Sequence, residues 1–255
     1  HFIDIPTGVL VGCLILWALP YEGASPLHGT RADRFRLKLM RYYLVGALIF
    51  FLPTFLGGAY LWFIWISIAL LLVAYAYVWS GAKLFQKQPN GRHSMAATLL
   101  LLPYLLGVRL NIFYWLRHQA KVSEVLPGVF IGSVTQAANF EAVLDLCAEY
   151  PCINPPKDYV FIPMLDMVPP ESTELVRTVQ EMQRLHNNHQ SVLICCALGY
   201  GRSAAAMLVW LVVYGGCDNL TEAQRQLRVA RPNMILPVAT EQKVLEAIYL
   251  LQKTR

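Results

Sequence analysis

Charge is what this 255-residue chain has least of: 15% of its residues are charged and 56% are hydrophobic, against about 25% and about 45–50% in a typical soluble domain. That shortage excludes a surface that is water-facing throughout. Acidic residues are nearly missing from the first 121 positions, which hold 3 Asp and Glu against 11 Lys and Arg, a net of +8. Residues 122–255 hold 13 acidic and 10 basic residues, a net of −3. A basic, apolar half followed by a mildly acidic one is the pattern of a membrane portion joined to a soluble domain. The six cysteines (Cys13, Cys147, Cys152, Cys195, Cys196, Cys217) form neither a disulfide framework nor the paired spacing of a zinc site. A reduced, cytosol-facing environment suits them. His186 and His189 have no metal-ligand spacing around them either, so no metal and no cofactor is expected. The chain opens on His1 with no cationic stretch before its first apolar run, so no signal peptide is read and a fragment or processed product is expected.

The longest absence is local. Residues 42–82 are 41 positions without one charge, enough for two membrane helices of roughly 20 residues each. Gly57-Gly58 near the middle supplies the turn, and Tyr42, Tyr43, Tyr77 and Trp79 stand near the ends, where interfacial aromatics belong. Arg31, Arg34, Arg36, Lys38 and Arg41 precede this hairpin and Lys83, Lys87 and Arg92 follow it. Two basic flanks predict that both ends face the cytoplasm. Nucleic-acid binding is the other use of such a run, but its place beside a membrane span favours topology. Residues 5–20 form a 16-residue apolar run, short for a span. Residues 96–108 form one of 13 that contains Pro103, followed by Arg109 and the cluster Phe113-Tyr114-Trp115. A run that short reads as interfacial or re-entrant, and Arg117, His118 and Lys121 again favour the cytoplasmic side.

From Leu126 the texture becomes short apolar runs alternating with helical periodicity, the mark of an α/β sheet. Strands are predicted at 129–131, 142–146, 159–162 and 191–195, and helices at 172–185, 202–214, 221–230 and 241–251, with Thr221 and Thr240 as starts. Pro155-Pro156 and Pro169-Pro170 mark loops. The Met207, Leu208, Leu211, Val212 stripe is core periodicity.

The most informative stretch is a strand, a glycine-containing loop and a helix. Residues 191–195 are the strand, Cys196-Ala197-Leu198-Gly199-Tyr200-Gly201-Arg202 the turn, and the helix begins at Ser203. A helix N-terminus presents free N–H groups and the positive end of its dipole to an anion. A loop wrapped around an oxyanion adds more donors, and Gly199 and Gly201 let the backbone approach closely. A cysteine at the base of such a nest is expected to carry the thiolate, the reactive form. Arg202, six residues on, can close over a phosphate with a planar fork.

Cys196, Arg202 and Ser203 match the signature of the protein tyrosine phosphatase superfamily, and the stretch from Leu126 to Leu251 resembles its dual-specificity branch. Leu126-Pro-Gly-Val-Phe-Ile-Gly132 looks like that branch's opening strand, and Arg231-Pro232 like the pair after its penultimate helix. The resemblance implies that Cys196 attacks phosphorus and forms a cysteinyl-phosphate that water then hydrolyses. Arg202 and the N–H groups of Ala197, Leu198, Gly199, Tyr200 and Gly201 would hold the phosphoryl oxygens, and Ser203 would assist breakdown through the sulfur. The family's general acid lies about thirty residues earlier; Asp166, thirty residues before Cys196, is the match. Two departures stand out. Cys195 occupies the place of a histidine that would order the loop and tune the thiolate, and a disulfide to its neighbour would be strained. Gly201 stands where serine is common, which should loosen the loop slightly.

At the other end, His1-Phe-Ile-Asp4-Ile-Pro-Thr-Gly8 resembles the last signature block of type-2 phosphatidic acid phosphatases. That resemblance puts the catalytic histidine just before residue 1, so the chain would hold only the tail of such a domain. A polar helix start with Asp4 as N-cap and Pro6 after it reads equally well.

The expectation is therefore a multi-domain chain, with N-terminal all-α transmembrane segments and a C-terminal α/β dual-specificity phosphatase-like domain. The expected divisions are 1–24, the possible phosphatidic acid phosphatase-like tail; 25–121, the hairpin, basic linkers and interfacial segment; and 122–255, the phosphatase-like domain. The expected protein sits in a bacterial inner (plasma) membrane, multi-pass, its phosphatase domain cytoplasmic. Its partners would be the bilayer and a phosphorylated protein or phospholipid, with no nucleic acid. A catalytically weak phosphate-binding module or scaffold is the alternative, motivated by Cys195. A sulfur-transfer or arsenate-reducing enzyme is a third, disfavoured by Asp166 and Ser203.

Overall fold

The computed structural model describes residues 4–20, 26–27 and 34–253. His1, in the first signature-like block, and Arg31, in the first basic flank, lie outside the described residues, as do the side chains of Asp4 and Arg34. The chain divides into two compact units, His1–Gln88 with His93–Asn111, and Pro89–Arg92 with Ile112–Arg255.

The first unit is helical: α1 (Asp4–Ala18), α2 (Arg34–Phe51), α3 (Phe63–Tyr75) and, as far as Asn111, α4 (Met95–Leu116), with short 3-10 and π turns between. Three helical stretches, Phe35–Leu56, Gly58–Phe85 and Met95–Leu116, are long and apolar enough to cross a membrane, with mean hydropathies of 1.7, 2.2 and 1.6. The break between the first two falls at Gly57, whose φ of +69° suits glycine. α2 and α3 are tied where Ser67 Oγ donates to the Ala47 carbonyl at 2.9 Å.

α4 is longer than the predicted 13-residue apolar run: it is continuous over 22 residues through Pro103. A proline inside a helix removes the N–H that would bond the carbonyl four residues back. Here that acceptor is Leu99, and Trp65 Nε1 donates to it at 3.0 Å. A neighbouring side chain has replaced the lost donor, so the helix runs on.

The second unit is an α/β domain. Its strands are β1 (Val122–Leu126), β2 (Val129–Ser133), β3 (Ala142–Cys147), β4 (Asp158–Met164) and β5 (Val192–Cys196). Its helices are α5 (Ser172–Asn188), α6 (Arg202–Val213), α7 (Leu220–Ala230) and α8 (Val238–Lys253). The sheet order is β1-β2-β5-β3-β4, with β1 antiparallel to β2 and the other pairings parallel. β1 was not among the predicted strands. Its sequence, Val-Ser-Glu-Val-Leu, is half polar because it is an edge strand and only half buried. α7 starts one residue before the predicted Thr221, capped by Asn219, whose side chain accepts from Glu222 N at 3.0 Å. α8 likewise starts before Thr240, at Val238.

One face of the sheet (Ile131, Leu144, Ile194, Cys196) packs with Leu175, Met182, Leu208 and Trp210 in a single apolar core. Alternation along a strand sends neighbours to opposite faces, so Cys195 turns away from Cys196. Cys195 is paired in register with Asp145, which accepts from Tyr159 Oη at 2.7 Å. Burial and that carboxylate push the Tyr159 phenol far up, so it stays protonated and donating. No disulfide joins any of the six cysteines.

Candidate active site

Ligands of open α/β sheets bind beyond the carboxyl ends of the parallel strands. Three segments leave β3, β4 and β5 at that edge of the sheet, and each supplies part of one constellation. The segment after β5 is the glycine loop. Cys196 is its first residue and the last of the strand, one position later than the predicted strand end. Its Sγ is buried, accepts from Gly199 N at 3.2 Å and lies 3.3 Å from Ser203 Oγ.

Gly199 is required by the backbone itself. Its φ is +78°, and a Cβ there would lie 2.7 Å from the backbone of Gly132 on β2. Gly201 differs: an added Cβ would meet nothing within 4 Å and its φ is −112°. A serine would fit there without meeting another protein atom among the described residues.

Arg202 begins α6 and is buried. Its fork is filled: Nη1 donates to Glu149 Oε2 at 2.7 Å and Nη2 to Oε1 at 2.5 Å. Nη1 also donates to the Met164 carbonyl at 2.9 Å, and Nη2 lies 3.1 Å from Asp166 Oδ1. Nε is buried and has no hydrogen-bond partner among the described residues. Glu149, which follows β3, is the functional-site residue that sequence reasoning missed. The available signal was an acid in the apolar run Leu146-Cys-Ala-Glu-Tyr at the carboxyl end of a strand.

Asp166 follows β4 in the stretch Leu165-Asp-Met-Val-Pro-Pro170. It does not cap α5; that N-cap is Glu171, which forms a reciprocal capping box with Glu174. The charges divide the two acids. Burial alone would push Glu149 up, but the Arg202 guanidinium and its hydrogen bonds hold it below the ordinary glutamate value. Asp166 moves upward, through desolvation and the nearby Glu149 carboxylate, with Arg202 opposing. Its side chain is 52% exposed, and that solvent limits how far the rise goes. Burial also penalises the Arg202 cation, but the two carboxylates outweigh it and keep the guanidinium charged. One carboxyl is thus fixed as an anion and the other is eased toward its acid form.

Cys196, Arg202, Ser203, Asp166 and the loop residues Ala197, Leu198, Gly199, Tyr200 and Gly201 therefore come together at one edge of the sheet. Among the described residues, no group of three His, Cys, Asp or Glu side chains is placed to hold a metal ion.

Residues 129–248 match the family described as "Dual specificity phosphatase, catalytic domain". No curated protein matches the chain. Solved structures similar to it include human DUSP28, at 22% identity over 52% of this chain and 99% of that one, with a TM-score of 0.47. A mouse putative dual specificity phosphatase complexed with zinc tungstate is 23% identical over 52% of this chain and 90% of that one, with a TM-score of 0.46. PTPMT1 in complex with PI(5)P is 14% identical over 53% of this chain and 99% of that one, with a TM-score of 0.47.

Proposed function

We propose that the second unit hydrolyses phosphate monoesters through a cysteinyl-phosphate at Cys196, in a protein whose first unit anchors it in a membrane. The observation that carries this reading is the convergence of Cys196 Sγ, the loop N–H groups, Arg202 and Asp166, within the segment that matches the phosphatase domain. In the first step Sγ attacks phosphorus and the ester oxygen leaves with the proton of Asp166. In the second, the Asp166 carboxylate takes a proton from water, which attacks phosphorus and expels Sγ. Ser203 Oγ, 3.3 Å from that sulfur, can donate to it as negative charge returns. The loop N–H groups and Arg202 hold the equatorial oxygens in both steps. A bound phosphoryl group competes with Asp166 for Arg202, and that exchange frees Asp166 to face the leaving oxygen.

The substrate is a phosphoprotein or a phospholipid. Loop positions 197–201 carry no Lys or Arg, which favours one phosphate over a polyphosphorylated headgroup. Exposed Met167, beside Asp166, and exposed Ile235, whose N–H donates to the Tyr200 carbonyl, give the loop's surroundings an apolar character. A catalytically weak phosphate-binding module remains the second reading, favoured by an Arg202 whose terminal nitrogens are already engaged by Glu149 and Asp166.

The membrane reading is supported by three apolar helical stretches, by exposed Leu48, Ile49, Leu52 and Phe55, and by basic flanks on both sides of the first two. The proposed setting is a bacterial inner membrane, with residues 96–108 interfacial or re-entrant and the phosphatase domain in the cytoplasm. The division at 24, 121 and 122 and the phosphatidic acid phosphatase-like tail belong to the same proposal.

The test is an assay of the full chain in detergent on an aryl and an alkyl phosphate, comparing wild type, Cys196→Ser and Asp166→Asn. Cys196→Ser should abolish turnover. Asp166→Asn should lower kcat by roughly 100-fold or more on the alkyl ester and much less on the aryl ester, whose leaving group needs little protonation. Wild-type turnover equal to that of Cys196→Ser would reject the phosphatase reading.

A further inference from the structure

Four consecutive carbonyls of the glycine loop are held from outside the cradle. Ser133 Oγ donates to Ala197 O at 2.7 Å, and Arg231 Nη2 to Leu198 O at 2.7 Å. Arg231 Nε donates to Gly199 O at 3.4 Å, and Ile235 N to Tyr200 O at 2.7 Å. A trans peptide points its C=O and the N–H of the next residue in opposite directions. Pinning the carbonyls of residues 197–200 outward therefore aims the N–H groups of residues 198–201 inward. The N–H of Gly199 already shows this, donating to Cys196 Sγ at 3.2 Å.

Arg231 is built into its place. It is buried, its Nη1 donates to Ala120 O and to Ser123 Oγ, and its guanidinium lies 4.7 Å from the centre of the Tyr200 ring. Among the described residues no carboxylate lies within ion-pair distance of it. Its positive charge faces three carbonyls, the Ser123 hydroxyl and the Tyr200 ring, directly behind the cradle. Ser133 is as deeply buried, at the end of β2 and in register with Cys196.

We infer that Arg231 and Ser133 are positioning residues that pre-organise the phosphate cradle from behind. This inference rests on the phosphatase reading. Neither residue touches the substrate; both act through the peptide groups they hold. The fork matters as well as the charge, since three carbonyls and a hydroxyl lie around one guanidinium, and a lysine ammonium cannot span them.

The experiment compares full-length wild type, Arg231→Lys and Ser133→Ala in detergent, measuring vanadate affinity, kcat and KM on an aryl phosphate, and melting temperature. Arg231→Lys should bind vanadate about tenfold or more weakly and lose kcat by a similar factor. Its KM should move less than its kcat. Ser133→Ala should show the same pattern at about a third of that size on a logarithmic scale. If Arg231→Lys fails to melt cooperatively, Ser133→Ala decides. Folded variants with wild-type vanadate affinity overturn the inference while the phosphatase reading stands. So do losses that merely track the unfolded fraction. A wild-type protein that binds no vanadate overturns both.

Discussion

Replacing Glu149 by glutamine tests the ion pair on which the site is built. The side chains of Glu149 and Arg202 are only 5% and 3% exposed, and both carboxylate oxygens accept from the guanidinium. Glutamine keeps the volume and removes the charge. Breaking a buried pair by removing one partner costs about 3–5 kcal/mol. Arg202 would keep the Met164 carbonyl and Asp166, so the lower end, about 3 kcal/mol, applies. Hydrogen exchange of β5 and α6 peptides in the full chain reads that loss, as protected amides exchanging about 150-fold faster at neutral pH. The effect should also depend on pH. Glu149 is held below its ordinary 4.5 by Arg202. Its contribution is therefore complete above that value and is lost as pH falls through the folded-state pKa. Below it, wild type carries a neutral carboxyl and should exchange nearly as fast as Glu149→Gln compared at the same pH. Equal exchange at pH 7, or a gap that widens in acid, would refute the reasoning.

The same variant should alter the pH profile of turnover. Glu149 helps to raise Asp166, and the acid must be protonated to act, so kcat falls as pH rises through its pKa. In Glu149→Gln that alkaline limb should move to lower pH; a move upward would mean Asp166 is not the acid. Gly199→Ala forces a Cβ to 2.7 Å from the Gly132 backbone at a φ of +78°. It should cost about 2 kcal/mol or more, seen as a lower melting temperature and weakened vanadate binding; a protein as stable as wild type would contradict the loop geometry. A reporter fused after Arg255 should be active on the cytoplasmic side. Activity only outside would contradict the proposed orientation, in which basic flanks keep both ends of the hairpin on the cytoplasmic side.

The half of the site that lies in one local pattern was legible in the sequence. Cys196, Gly199, Arg202 and Ser203 fall within a single strand–loop–helix, where spacing alone implies geometry. Asp166 was reachable because a chain distance and a strand end both pointed to it. Glu149 was not, because its partner is 53 residues away and the pairing depends on β3 lying beside β5, which the sheet order decides. The parts played by Ser133 and Arg231 are hidden for the same reason, although the Arg231-Pro232 pair stands out in the sequence. β1 escaped because an edge strand need not be apolar. The continuation of α4 through Pro103 depends on Trp65, on another helix. In each case the missing information was a long-range contact that no window of sequence contains.

The central claim is that Cys196 forms a covalent phosphoenzyme. The most direct measurement is mass spectrometry of the full chain, quenched with acid during turnover of an aryl phosphate and digested to the peptide bearing Cys195 and Cys196. A phosphoryl adduct on Cys196 should accumulate in Asp166→Asn, where loss of the base slows the second step, and be absent in Cys196→Ser. Turnover by wild type with no adduct on Cys196, or an adduct that survives in Cys196→Ser, would contradict it.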